Sequence, residues 1–208
     1  MIFKPAQSVI DAVMSARAGD LSRAVLPLLP NDGNVLDVGS GTGHNATALR
    51  QSRPDLRFRE CDVVDMHVVG NGADLIIDGR LPYDNSTFAA VTLFFVLQYP
   101  DDPLPLLREA RRVMADGGHV IAAQTVCRGR LGRCALKLHE QVWGPVAYSV
   151  ARTLRAVPDV RTACLTPRRW FSESEIKALF KASGLEVRDT VRMSSSPAMY
   201  ADTVYQLQ

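Results

Sequence analysis

The sequence lacks the features that mark secreted, membrane-spanning or metal-dependent proteins. Its four cysteines form no CxxC pair, and no histidine stands near them at a zinc-site spacing. No stretch approaches the roughly 20 apolar residues of a membrane-spanning helix, and the amino terminus has no apolar core typical of a secretion signal. We therefore expect a cytoplasmic protein with reduced thiols, no disulfide framework, no metal site and no transmembrane segment.

The net charge is also low, but it is unevenly distributed along the chain. The 208 residues sum to +2, too little to indicate a nucleic-acid partner. Between Arg128 and Arg169, however, nine Lys and Arg stand against two acids, which gives this segment +7 and leaves −5 for the rest. Its best helical stretch is Val146–Val157. We expect residues 128–169 to form a basic helical cap, either a solvated face or a surface for an anionic acceptor or for peripheral contact with an anionic membrane.

Apolar runs alternate with amphipathic helical stretches along the remainder of the chain. Strands separated by helices at this interval predict a mainly parallel sheet with helices on both faces, a doubly wound Rossmann-like α/β domain spanning residues 1–208. The predicted helices are Ser8–Leu29, His44–Gln51, Asp102–Ala115 and Ser172–Ser183, and the seven predicted strands are Asn34–Val38, Leu56–Cys61, Ala73–Ile77, Ala89–Phe95, His119–Gln124, Leu185–Met193 and Thr203–Gln208.

A glycine-rich loop follows the first predicted strand. Gly39, Gly41 and Gly43 alternate there, and glycine lets a backbone turn sharply and approach a ligand closely. Ligands of open α/β sheets bind at the carboxyl ends of the strands, where this loop lies. The spacing is GxGxG and not the GxGxxG of dinucleotide enzymes, which aims a helix amino terminus at a pyrophosphate. With Asp37 before it, the loop suits a cofactor that carries an amino acid and a sulfonium but no phosphate.

The run Val35–Gly43 resembles the first motif of class I S-adenosylmethionine-dependent methyltransferases of the methyltransferase type 11 kind. Other segments resemble later motifs of that family in the same order: Cys61-Asp62 after the second strand, Asp78–Tyr83 for Asp-x-x-Leu-Pro-Phe, Glu109–Gly118 for Glu-x-x-Arg-Val-Leu-x-Pro-Gly-Gly, and Arg169–Ser172 with Phe180–Leu185 for the late helix. The resemblance covers Val25–Val187 apart from the basic segment.

This resemblance implies a set of residues that contact S-adenosylmethionine. They are Asp37, Gly39, Ser40, Gly41, Thr42 and Gly43 for the methionine end, Asp62 and Val63 for the ribose, Asp78 and Gly79 for the adenine, and Phe94 and Phe95 beside the reacting methyl group. Many relatives have a full helix after the second strand, whereas only a short connection separates Asp62 from Asp78 here. Glu60 and Asp65 therefore stay open as alternatives for the ribose acid.

The catalytic residues are less well defined, because a sulfonium methyl group is already activated and mainly needs an acceptor in line with it. Gln98 stands where many relatives carry histidine, and Tyr99 and His139 are the other weak candidates. We expect methyl transfer to a small-molecule acceptor, with oxygen as the first acceptor atom and carbon or nitrogen next. The alternatives are a non-catalytic binding module of the same fold and a nucleotide-dependent oxidoreductase. The sequence does not indicate an oligomeric state.

Overall fold

A computed structural model describes residues 4–138, 167–193 and 200–208. In these ranges one eight-stranded sheet is formed by β1 (Asn34–Val38), β2 (Arg57–Asp62), β3 (Asp74–Leu75), β4 (Phe88–Phe94), β5 (Met114–Cys127), β6 (Phe171–Ser172), β7 (Val187–Arg192) and β8 (Tyr200–Leu207). The order is β3-β2-β1-β4-β5-β8-β7, and β6 pairs with β5 off this path. The two pairings of β8, with β5 and with β7, are antiparallel, and the other pairings in the described sheet are parallel. The predicted Rossmann-like class is confirmed; the strand beyond the predicted seven is the two-residue β6.

Helices cover both faces of this sheet. They are α1 (Lys4–Val25, followed by a 3-10 turn at Leu26–Leu28), α2 (His44–Ser52), α3 (Leu104–Val113), α4 (residues 129–138) and α5 (Glu173–Ala182). Alternate side chains of β1 separate the two cores, since Val35 packs with α1 and α2 while Leu36 and Val38 pack with α3 and α5. The carboxyl ends of the parallel strands consequently lie between two covered faces.

The boundary between α3 and β5 differs from the sequence prediction. The helix ends at Val113, and the strand begins at once with Met114, which pairs with Phe88. The register with β4 then shifts, so that residues 115–118 form an irregularity inside the strand. Gly117 has a φ of +76° there. The sequence predicts that Asp-Gly-Gly ends the helix and separates it from a strand that begins at His119. In the structure these residues instead form the irregularity inside β5.

The structure describes both ends of the basic segment, but not residues 139–166. The predicted helix Val146–Val157 and His139 therefore lie outside the described residues. Within the described part, α4 exposes Leu131 and Leu138, and Arg133 pairs with Glu175 of α5 at 2.7 Å. The cap, its anionic partner and its contact with a membrane surface stay predictions.

The described residues contain no helix long and apolar enough to cross a membrane. The same part of the chain holds no group of three His, Cys, Asp or Glu side chains that could bind a metal ion. Cys61, Cys127 and Cys134 are free thiols, the first two buried and the third exposed.

Glu109 and Arg112 of α3 fasten the segment that leads into β4. Arg112 donates hydrogen bonds to the carbonyl oxygens of Leu81 and Tyr83, to Asn85 Oδ1 and to both oxygens of Glu109. Glu109 Oε2 also accepts a bond from Leu81 N at 3.0 Å. Arg112 in turn holds the pKa of Glu109 below its ordinary value. The Glu-x-x-Arg part of the sequence motif thus has a structural role.

Replacing Arg112 with alanine should destabilise the fold, because it removes the donors of two backbone carbonyls and the partner of Glu109. We expect the free energy of unfolding in urea to fall by about 2 kcal/mol. Arg108→Ala, an exposed arginine on the same helix, is the matched control and should change stability by less than about 0.5 kcal/mol. Equal effects of the two variants would show that the Arg112 network does not stabilise the domain.

Candidate functional site

The carboxyl ends of β1, β2 and β4 meet at one edge of the sheet because these strands are parallel. The glycine loop leaves β1 there and is tied to β2, since Gly39 N and Ser40 N both donate to the Cys61 carbonyl, at 2.8 and 3.3 Å. A Cβ on Gly39 would lie 2.5 Å from Val96 Cγ2, and its φ is +72°. Only glycine therefore lets the loop pass beneath the turn after β4.

Gly41 is the part of the loop that faces open space. Its φ is +55°, and no atom lies within 4 Å of the position that a Cβ would take. Its N–H donates to Asp62 Oδ2 at 2.8 Å, which joins the loop to the end of β2. An approaching ligand can therefore reach the Gly41 backbone beside the Asp62 carboxylate.

Asp37 is the most unusual acid in the site. It is 1% exposed, and Thr92 Oγ1 donates to its Oδ1 at 2.7 Å, while its Oδ2 is buried without a hydrogen-bond partner. Burial raises the pKa of Asp37 to about 7, against the Thr92 bond that lowers it. Ser40 Oγ is also buried and unpartnered. Buried polar atoms almost always have a hydrogen-bond partner in folded proteins. Two such atoms without a partner in the same motif are consistent with a ligand that supplies the missing hydrogen bonds.

The three acids that the sequence left open for the ribose differ in their surroundings. Asp62 is buried and accepts bonds from the Gly41 and Val63 backbone nitrogens. Burial raises its pKa, and these backbone donors partly oppose that shift. Among the three, only the Asp62 carboxylate bonds to the glycine loop in the described contacts.

Glu60 and Asp65 are engaged elsewhere. Arg50 of α2 donates to Glu60 Oε1 at 2.6 Å, and His67 Nε2 lies 2.7 Å from Glu60 Oε2. His67 Nδ1 lies 2.9 Å from Asp65 Oδ1, and the His67 backbone N–H lowers the pKa of that exposed carboxyl. Sequence reasoning missed His67 and Arg50 because neither belongs to a recognisable motif.

The connection from β2 to β3 folds back onto the second half of the glycine loop. The N–H groups of Val68 and Val69 donate to the Thr42 carbonyl at 3.1 and 3.3 Å. A Cβ on Gly43 would lie 2.5 Å from His67 Cδ2 and would overlap the Val69 carbonyl oxygen. The Thr42 carbonyl and Gly43 therefore face the protein's own chain, whereas Gly41 faces open space.

Asp78 and Gly79 form a tight turn after β3. Their φ angles are +51° and +75°, and Arg80 N donates to the Ile77 carbonyl at 2.9 Å. The Asp78 side chain is exposed. Large apolar side chains are also exposed at the carboxyl ends of β2 and β3, namely Val63 (54%), Leu75 (51%) and Ile77 (67%).

Phe94 and Phe95 end β4 in different ways. Phe94 is buried in the core formed with α1 and α2. Phe95 has a φ of +57°, a conformation that costs a non-glycine residue about 1–2 kcal/mol. Its N–H donates to the Ala123 carbonyl at 2.7 Å, and the Arg17 guanidinium lies over its ring. Backbone strain of this kind, here at the carboxyl end of β4, is most frequent at functional sites, where the surrounding structure holds the strained conformation.

Gln98 is buried at the end of the turn that follows β4. Its Oε1 accepts a bond from Gln124 Nε2 at 2.7 Å, and its carbonyl accepts one from Arg168 N at 2.8 Å. Gln124 Oε1 is buried without a partner. Tyr99 N closes the turn by donating to the Val96 carbonyl. An amide does not accept a proton near neutral pH, so the Gln98 side chain is unsuited to act as a base.

Comparison with known proteins assigns the family. Residues 12–190 match the family model described as a methyltransferase domain. The ubiquinone/menaquinone biosynthesis C-methyltransferase UbiE of Desulfotalea psychrophila is 30% identical over 119 residues, which cover 53% of this chain and 45% of that protein. The chain spans about half the length of the curated relatives it matches.

Solved methyltransferase structures share the fold. The S-adenosylhomocysteine-bound CalO1 of calicheamicin biosynthesis has a TM-score of 0.63 at 22% identity, covering 94% of this chain and 54% of that chain. The mitomycin 7-O-methyltransferase MmcR gives 0.63 at 17% identity with the same coverage. The chain belongs to the methyltransferase-domain family and shares the fold of these solved methyltransferases. The methyltransferase family and the fold predicted from the sequence are thereby confirmed.

Replacing Asp37 with asparagine should change how stability depends on pH. The folded-state pKa is about 7 against an ordinary 3.8, so the folded chain binds more protons than the unfolded chain between these values. The wild-type free energy of unfolding therefore loses a contribution as pH rises from about 4 to 7. We expect Asp37→Asn to be more stable than wild type at pH 8 by about 2–4 kcal/mol and to lose this advantage at pH 4.

Urea unfolding of the ligand-free protein at pH 4, 6 and 8 measures this difference. Asp84→Asn, at an exposed aspartate, serves as the surface control. A difference between wild type and Asp37→Asn that stays constant with pH would contradict the burial of an ionisable Asp37.

Proposed function

We propose that residues 1–208 act as one domain that transfers the methyl group of S-adenosylmethionine to a small-molecule acceptor, with oxygen as the acceptor atom. The observation that carries the proposal is the buried Asp37 Oδ2, which has no hydrogen-bond partner. S-adenosylmethionine supplies an electrophilic methyl group on a positively charged sulfur, and it also carries an ammonium group. A buried carboxylate with one free oxygen at the glycine loop suits such a cation.

The donor atoms near Asp37 suit the rest of the cofactor. Ser40 Oγ and the open backbone at Gly41 would contact the methionine portion. Asp62 would accept hydrogen bonds from the ribose hydroxyls, since a carboxylate oxygen that already accepts one backbone bond can accept another. The exposed Val63, Leu75 and Ile77 would give an apolar surface to the adenine, next to the turn at Asp78–Gly79.

The acceptor must bring its own electron pair to the methyl group and lose its proton. Gln98 borders this end of the sheet, and its amide cannot remove that proton. A carboxylic acid is already ionised near neutral pH, and a phenol gives up its proton to solvent far more readily than an unactivated carbon, which needs a base in the site. This argument favours oxygen, and the O-methyltransferase among the structural relatives is consistent with it. The C-methyltransferase relative keeps carbon as the second candidate.

A non-catalytic binding module with the same cradle is the alternative function. The short connection between Asp62 and Asp78 favours it, because this stretch adjoins the proposed ribose contact and departs from the family pattern. Both the methyltransferase and the binding-module hypotheses require cofactor binding, so they differ only in whether a methyl group is transferred.

Replacing Gly41 with alanine should weaken cofactor binding, because the added Cβ would enter the open space that a ligand needs. Titration calorimetry with S-adenosylmethionine and S-adenosylhomocysteine should show an affinity loss of at least about tenfold. Gly117→Ala is the matched control, since Gly117 also has a positive φ and open space around its Cα but lies at the start of β5. Both variants should lose about 1–2 kcal/mol of stability, and equal affinities would place the cofactor elsewhere.

Incubation with 13C-methyl S-adenosylmethionine and a panel of phenols, catechols and aromatic carboxylic acids tests the acceptor. We expect a new O-methyl resonance in the product spectrum, and with Gly41→Ala it should form much more slowly at a cofactor concentration near the wild-type Kd. A C-methyl or N-methyl product would overturn the choice of oxygen. Tight cofactor binding with no methylated product from any acceptor would favour the binding module.

A further inference from the structure

We propose that His67 is a positioning residue for the cofactor site. Its ring fastens residues 63–70 onto the glycine loop and thereby fixes Asp62 where it meets the ribose. The inference rests on the proposed function, because it assumes that Asp62 contacts the cofactor. It assigns a role to a histidine that lies in no sequence motif and contacts no proposed cofactor group.

The His67 ring bridges two carboxylates. Its side chain is 6% exposed, with Nε2 2.7 Å from Glu60 Oε2 and Nδ1 2.9 Å from Asp65 Oδ1. Both ring nitrogens thus face acceptor oxygens, so both contacts are hydrogen bonds when each nitrogen carries a proton. One of these acids belongs to β2 and the other to the loop that follows it. The ring therefore ties the loop back to the strand from which it departs.

The same ring also presses against the glycine loop. His67 Cδ2 lies 2.5 Å from the position that a Cβ on Gly43 would occupy, so only glycine admits the ring so closely. On the other side of this contact, the Thr42 carbonyl accepts bonds from the N–H groups of Val68 and Val69. Ring and backbone together hold residues 67–69 against Thr42 and Gly43.

Asp62 lies at the other end of this pair of segments. Its carboxylate accepts the Gly41 N–H, two residues before the Gly43 contact, and the Val63 N–H at the start of the loop. Residues 41–43 and 62–69 are therefore joined at three places: Asp62 bonds to Gly41, Val68 and Val69 bond to Thr42, and the His67 ring packs against Gly43. Loss of the ring leaves the far end of the loop held by the Thr42 bonds alone, which loosens the loop and weakens the restraint on Asp62.

Loss of the ring would leave the strand itself intact. Glu60 keeps Arg50 of α2 as a partner at 2.6 Å, so its buried carboxylate stays paired without His67. β2 also keeps its parallel pairing with β1 along five residue pairs. The consequence should therefore be concentrated in the loop and in cofactor affinity.

Titration calorimetry with S-adenosylhomocysteine on the full chain tests the inference. We expect His67→Ala to weaken binding by about tenfold or more. The matched control is His119→Ala, whose ring bonds to the Leu28 carbonyl at 2.6 Å near the opposite end of the sheet, and it should bind as tightly as wild type. Added imidazole should restore part of the affinity of His67→Ala and have no effect on the control.

A double-mutant cycle separates positioning from general stabilisation. If His67 acts through Asp62, the variant combining His67→Ala with Asp62→Asn should lose less affinity than the product of the two single losses. Multiplicative losses, or full affinity in His67→Ala, would overturn the inference. Failure of the wild type to bind either cofactor form would instead refute the proposed function.

Discussion

Burial of one carboxylate in β1, an interior strand of the sheet, is the constraint on which the site depends. Asp37 sits in β1 among apolar strands, so its charge is costly unless a partner compensates for it. The protein supplies one hydrogen bond from Thr92 and leaves the second oxygen unsatisfied. Glu60 and Asp62 add negative charge nearby and raise the pKa further. The buried charge therefore lowers the free energy of unfolding, and a bound cationic ligand would offset this cost. Sites that are preorganised for a ligand commonly carry such a cost in stability.

The glycine loop divides into two halves with different tasks. At Gly41 the missing Cβ leaves open space, whereas at Gly43 it makes room for the His67 ring and the Val69 carbonyl. The same residue type therefore leaves open space at one position and permits close internal packing at the other. Where many relatives have a helix after β2, this chain has a loop bound to its own glycine motif. This loop is held in place by the bonds of Val68 and Val69 to the Thr42 carbonyl and by the packing of the His67 ring against Gly43.

The sequence was sufficient to predict the fold class, the central strands and the family, because periodicity and ordered motifs are local signals. It also led correctly to β1, whose bounds match the prediction. The bulge at Gly117 could not be foreseen, since the pairing of Met114 with Phe88 is a long-range contact. Thr92 and Gln124 were missed for the same reason: each is ordinary in sequence and acquires its role only through a partner on another strand or turn.

The pairing of β6 with β5 fixes both ends of the segment that connects them. Val126 and Cys127 lie beside Phe171 and Ser172, so the chain leaves the sheet and returns to it at adjacent points. Arg168 is anchored as well, through its bond to the Gln98 carbonyl. Because both ends of the intervening segment are fixed, its length and composition can change at small entropic cost. Insertions, deletions and substitutions in this segment can therefore accumulate without disturbing β5, β6 or the turn at Gln98.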